Sequence, residues 1–180
     1  MPVRWMSAGA MQAIIVSDTM SDYIHRKVPA MPMIDVYATD GTFEQGGQLA
    51  AKLARTLMVI EGVPDIPMFR ENTAAFIHHL LPDSISNVEG QGNYVRVQVL
   101  TNAGALDREK QLAVVSQFTD LVSEAANDPS LKERTWVLLT EAIEGGWGLG
   151  GHANTNAELV DAARAQIAQI AAAGKDGANK

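Results

Sequence analysis

The feature that most limits what this chain can fold into is a pattern that occurs twice. In the first copy, Ile34, Val36 and Ala38 alternate with Asp35 and Tyr37 up to Asp40-Gly41, the period of two that turns one face of a strand into a core. Leu49, Leu53, Leu57 and Ile60 follow at helical spacing and stop at Gly62 and Pro64, and a second strand is predicted over Thr73 to Leu80. In the second copy Val95, Val97 and Val99 alternate with Arg96 and Gln98, and Asn102 to Gly104 makes the turn. Leu112, Val115, Phe118 or Thr119, and Val122 mark a helix closed by Asn127-Asp128-Pro129, and Thr135 to Thr140 gives the last strand. A shift of 63 residues superposes Val36 on Val99, Gly41 on Gly104, and Gln48-Leu49-Ala50 on Gln111-Leu112-Ala113. Each crossover is long enough for a right-handed parallel connection. The expected fold is α+β: two consecutive β-α-β units forming one four-stranded sheet with two helices on one face.

A chain of 180 residues suits one core with tails. The reading divides it into an N-terminal extension (1–31) that need not be part of the mature protein, a domain (32–154) whose repeats span 32–81 and 93–140, and a C-terminal helix and tail (155–180). Pro82 to Asn93 is a linker by composition. The last helix is predicted to start at a capping box of Thr155 and Glu158, with Leu159, Ala163, Ile167 and Ile170 as its apolar stripe and a frayed end from Lys175 to Lys180.

Composition removes several functions. Zero cysteines exclude disulfides and thiolate chemistry and fit a cytoplasmic enzyme. A net charge of −7 without a basic run argues against nucleic acid. No apolar run reaches membrane-spanning length, and the short stretch Ala13 to Val16 is too brief for a signal-peptide core. His78 and His79 are adjacent in a strand and face opposite sides, so they do not share a metal, and no metal or cofactor is expected. Gly146, Gly148 and Gly151 fit a dinucleotide fingerprint formally, but too little chain follows for that fold, and a tight hairpin explains them better.

Three features carry a family resemblance. They are the proline-led strand Met31-Pro32-Met33-Ile34-Asp35-Val36-Tyr37, the duplicated β-α-β unit, and the run from Trp136 through Glu144-Gly-Gly-Trp147-Gly-Leu-Gly-Gly151. Over residues 31 to 152 the chain resembles the tautomerase superfamily in its fused two-repeat form, similar to cis-3-chloroacrylic acid dehalogenase and malonate semialdehyde decarboxylase. The resemblance implies a keto-enol isomerase, or a related dehalogenase or decarboxylase, acting on a small enolisable 2-oxo acid as a homotrimer. It makes Pro32 the general base or acid through an N-terminal secondary amine, whose ammonium form burial disfavours. Pro32 meets that requirement only where the chain starts at it, since inside the chain its nitrogen is an amide. The alternative is a catalytically silent interaction protein with a blocked proline. The resemblance also makes Trp147 the aromatic lining the site. The family's substrate-binding arginines have no counterpart, for Thr42, Ala105 and Trp136 stand at those places. Arg96, Arg70 and Arg134 are the substitute cations, and His78 is a further candidate for the pocket wall. Under the 63-residue shift Pro32 corresponds to Val95, which limits the chain to one amine site.

Overall fold

A computed structural model describes residues 31–177. The N-terminal extension up to residue 30, with Pro2 and His25, lies outside them. Strand β1 (Met33–Thr39) is followed by helix α1 (Gly46–Glu61), a short helix α2 (Pro67–Asn72) and β2 (Ala74–Leu80). The second unit has β3 (Val95–Asn102), α3 (Arg108–Ala125), a 3-10 turn (Pro129–Glu133) and β4 (Thr135–Ala142). A hairpin of β5 (Trp147–Leu149) and β6 (His152–Asn154) leads into α4 (Asn156–Gly177).

The sheet order is β2-β1-β3-β4, parallel within each unit and antiparallel between β1 and β3. In that central pair Asp35 lies opposite Gln98, its own counterpart at the 63-residue shift. A local twofold axis therefore passes between these two residues, and the two units are related by it. The inward residues of both first strands, Ile34, Val36, Ala38 and Val95, Val97, Val99, pack with Leu49, Leu53 and Leu57 of α1 and Val114, Phe118 and Val122 of α3. Two long helices thus cover one face, as expected.

The helix phase of the second unit differs from the sequence reading. Leu112 and Val115, expected on the buried stripe, are exposed. At 100° per residue they sit roughly 120° and 60° away from Phe118, whose large ring selects the stripe that enters the core. The buried triplets of α1 and α3 are related by 65 residues, as are the positive-φ residues that end the helices, Gly62 and Asn127. The match of Gln48-Leu49-Ala50 to Gln111-Leu112-Ala113 is therefore out of structural register. Helix α2 was not expected. Its signal is Pro67 at the first helical position after extended Ile66, where the missing N–H costs nothing.

A second apolar cluster lies at the end of the sheet where β1 begins and β3 ends. It joins Met31, Ile66, Phe69, Trp147, Leu159 and Ala163, with Met33, Leu100 and Ala142 packed against it. By strand alternation Met33, Leu100 and Ala142 point away from α1 and α3, so the hairpin and α4 close this end of the opposite face. The capping box at Thr155 forms as expected, with the Thr155 N–H donating to Glu158 at 2.8 Å and the Glu158 N–H donating to Thr155 Oγ1 at 3.2 Å. Within its stripe Leu159 and Ala163 are buried, Ile167 packs at the margin and Ile170 is exposed. The helix is continuous to Gly177, so residues 175–177, expected in a frayed end, are helical, and the rest of that end lies outside the described residues. No helix among the described residues is long and apolar enough to cross a membrane.

Candidate active site

Pro32 stands immediately before β1, where the chain enters the second cluster, and it is buried. The residues around it are held by backbone and amide bonds. The Ala74 N–H donates to Pro32 O at 3.3 Å, extending the parallel β1–β2 ladder by one residue. The Met31 N–H donates to Oδ1 of Asn102 at 3.2 Å. Asn102 is the last residue of β3 and is 2% exposed, so its amide is committed to this junction rather than to solvent. Sequence reasoning assigned Asn102 to a turn; only the antiparallel register, which brings the end of β3 to the start of β1, shows what it does.

Trp147 joins the same cluster and is 7% exposed. The glycine-rich run holds it there: Gly150 and Gly151 both have positive φ, as a two-residue hairpin turn requires, and the Asn154 side-chain amide donates to Trp147 O at 3.1 Å. The glycines of the formal dinucleotide fingerprint therefore make a hairpin. Helix α2 adds Phe69, and its N-terminus is tied to α4 by the Met68 N–H donating to Gln166 Oε1 at 2.9 Å.

Arg70 follows Phe69 but turns outward, pairing with Asp65 at 3.3 Å. It lines a surface groove with Arg55, Met58, Val63 and Thr73. Met58 and Val63 belong to the cluster as well, so this groove adjoins it. Thr73 lines this groove, but its hydroxyl oxygen is buried and has no hydrogen-bond partner.

His78 and Arg96 are brought together, but elsewhere. His78 Nε2 lies 2.6 Å from Asp35 Oδ1 and its ring stacks on Tyr37 at 4.4 Å. The Arg96 guanidinium lies over the other part of this group, 5.1 Å from the Tyr37 ring centre, and donates to Gln98 Oε1 at 2.7 Å; Gln98 in turn donates to Thr140 Oγ1 at 2.9 Å. This chain of polar contacts crosses all four strands on the face that α1 and α3 leave free. Tyr37 is five residues beyond Pro32, about 16 Å at the rise of a strand. Within one protomer, then, Arg96 stands well along the sheet from Pro32, while the His78 ring reaches Asp35, three residues and about 10 Å along the strand from it. Around them the free face carries Phe76 (49% exposed), Trp136 and Leu138. Arg134, the remaining candidate cation, is engaged with Asp128 at 2.8 Å and with Asn93 O at the opposite end of the sheet.

One titratable group near the Pro32 end was missed by sequence reasoning. Glu61, the last residue of α1, is 1% exposed, and neither carboxylate oxygen has a hydrogen-bond partner. Burial pushes its pKa up to about 8, while the Lys110 ammonium, which donates to Glu61 O at 2.9 Å, pulls the other way. Nothing in the spacing distinguishes it from an ordinary solvated glutamate.

No family model matches the chain, and no curated protein matches it. Solved structures do. A fused 4-OT, solved as a symmetric trimer, is 15% identical, with a TM-score of 0.59 over 71% of this chain and 98% of its own. A member of the cis-3-chloroacrylic acid dehalogenase family is 17% identical, with a TM-score of 0.54 over 66% of this chain and 80% of its own. Malonate semialdehyde decarboxylase is 14% identical, with a TM-score of 0.53 over 67% and 93%. At these identities the likeness is one of fold, and the three share a superfamily. The sheet order β2-β1-β3-β4, built from two β-α-β units, gives this chain the fold that these structures share, that of the tautomerase superfamily.

Proposed function

We propose that this protein is a tautomerase whose working group is the secondary amine of Pro32, exposed in a chain that begins at that residue. The observation that carries the reading is the burial of Pro32 at the mouth of β1, beside the cluster that contains Trp147, on a fold whose solved neighbours are tautomerase-superfamily enzymes. An ammonium there loses hydration that apolar neighbours do not restore, so the free amine is favoured near neutral pH. It takes a proton from the carbon next to the carbonyl of a 2-oxo acid, the C–H electrons form the C=C bond, and the carbonyl oxygen accepts a proton to complete the enol. The reverse sequence ketonises the enol. With Met31 gone, Asn102 Oδ1 loses the N–H it now accepts and becomes the buried acceptor for the amine one residue along. Arg70, in the groove adjoining the cluster, is the group that suits a substrate carboxylate. Trp147 walls the site, and no cofactor enters the reaction.

Assembly belongs to the same reading. The free sheet face, with Phe76, Trp136 and Leu138, fits coverage by further copies in a homotrimer, and fused 4-OT neighbours were solved as trimers. Threefold association also offers the His78 and Arg96 group to an adjoining copy.

A second reading has its own support. In the 180-residue chain Pro32 N is an amide without a basic lone pair, and Met31 is tied down by Asn102; that state is a catalytically silent, assembling protein. The two readings separate in one experiment. The chain starting at Pro32 and the full chain are assayed for enolisation of 2-oxo acids and ketonisation of phenylpyruvate-type enols. The expected result is turnover only from the Pro32 start, with a loss of about 10²-fold or more in the full chain. Equal rates from both would remove Pro32 from the mechanism.

A further inference from the structure

We infer that the space now filled by the Met31 side chain is the pocket for the substrate's non-reacting tail, and that this tail is an unbranched apolar chain of methionine's size. The inference rests on the amine reading above. Met31 is 0% exposed and among the largest fully buried side chains in the molecule. It is also the residue whose removal exposes the amine. The same event that creates the base therefore empties a cavity beside it.

The walls of that cavity are fixed without Met31. Ile66 and Phe69 come from the turn into α2 and from α2 itself, Trp147 from the hairpin, and Leu159 and Ala163 from α4. Three separate tethers hold these elements: Met68 N–H to Gln166, the Asn156 side-chain amide to Ala103 O at 3.1 Å, and the Asn156 N–H to Glu144 Oε1 at 2.8 Å. A pocket held by contacts that do not involve its occupant stays open when the occupant leaves, as apolar cavities in packed cores do. Its lining is apolar, so it accepts a hydrocarbon or thioether tail and disfavours a second carboxylate. Its shape is that of an unbranched side chain, and Ala163 is the small residue that leaves the room. The full-length chain is then self-occupied as well as lacking a free amine: Met31 sits where the tail goes.

The test uses the chain starting at Pro32 with pyruvate, 2-oxohexanoate and 4-methylthio-2-oxobutanoate, the last reproducing the methionine side chain. At about 0.8 kcal/mol per buried methylene, the two longer acids are expected to exceed pyruvate by roughly 10- to 100-fold in kcat/KM. Ala163→Leu fills the pocket and should erase that preference. Equal kcat/KM for pyruvate and the longer acids would overturn the inference while the amine reading stands. A second measurement is independent of turnover. Full-length Met31→Ala has the cavity and no amine, so 2-oxohexanoate should raise its Tm and leave the Tm of the parent chain unchanged. If the Pro32-start chain turns over nothing, the amine reading fails and this shift still decides the pocket: a rise confined to Met31→Ala supports it, and no rise overturns it.

Discussion

The local twofold axis between Asp35 and Gln98 makes the two ends of the sheet counterparts, and they have diverged in opposite directions. At the end led by Pro32, α2, the hairpin and α4 converge on Met31 and Phe69, and the junction is closed and apolar. At the end led by Val95, the counterpart of Met31 is Tyr94, which stacks on Trp136 at 4.6 Å. That end opens into a groove lined by Thr39, Tyr94, Asp128 and Arg134. Asn102 accepts the Met31 N–H, whereas its counterpart Thr39 donates its hydroxyl to Gly92 O. The difference teaches that the two units supply equivalent scaffold ends, and that α2, the hairpin and α4 decide which of them is desolvated. The end with α4 across it is the one packed with buried apolar side chains.

Ways to break or sharpen that contrast run from large effects to small. Phe69→Ala, which empties the centre of the closed end, should destabilise by about 3–5 kcal/mol in urea unfolding. A cost below about 1 kcal/mol would show that the cluster is not packed as described. Glu61 gives the closed end its own pH dependence. The folded pKa of about 8 stands above the ordinary value of 4.5, so the folded state holds the proton longer than the unfolded one. The stability associated with the neutral form is present below about pH 4.5 and is lost as pH rises to about 8. Glu61→Gln should flatten this loss and raise stability at pH 8 by on the order of a few kcal/mol; parallel urea midpoints across pH 5 to 9 for both chains would refute it. The equivalent position in α3, at the 65-residue shift, is Ala126, so the open end offers no such term.

Thr155→Ala should cost about 1 kcal/mol by removing half of the capping box, with hydrogen exchange quickening in the first turn of α4. Uniform change across the chain would mean that α4 is not a separate lid on the closed end. Smallest is Arg134→Ala at the open end. It breaks a partly exposed pair with Asp128 and should cost about 1 kcal/mol or less, with no change at the Pro32 end.

Much of this was legible before any coordinates. Ile34, Val36, Ala38 and Val95, Val97, Val99 specify two half-buried strands because a period of two has one structural meaning. The glycine-rich run was legible as a hairpin, since positive φ at Gly150 and Gly151 depends on local backbone chemistry. What sequence left undecided depends on distance in space. The stripe of α3 was misphased because several apolar residues satisfy a helical period and only the sheet chooses among them. Arg96 and His78, candidates in sequence for the site, meet around Tyr37 on the free face, which only the strand pairing shows.

The sequence by itself determined the repeat and the strand faces, because these are written in local periodicity. Tertiary structure alone decided that Asn102 meets Met31, that Glu61 is stripped of water, and that α4 closes one end of the sheet. Those outcomes follow from antiparallel register and from helix docking, which bring together groups 71 to about 100 residues apart, and no local pattern encodes them.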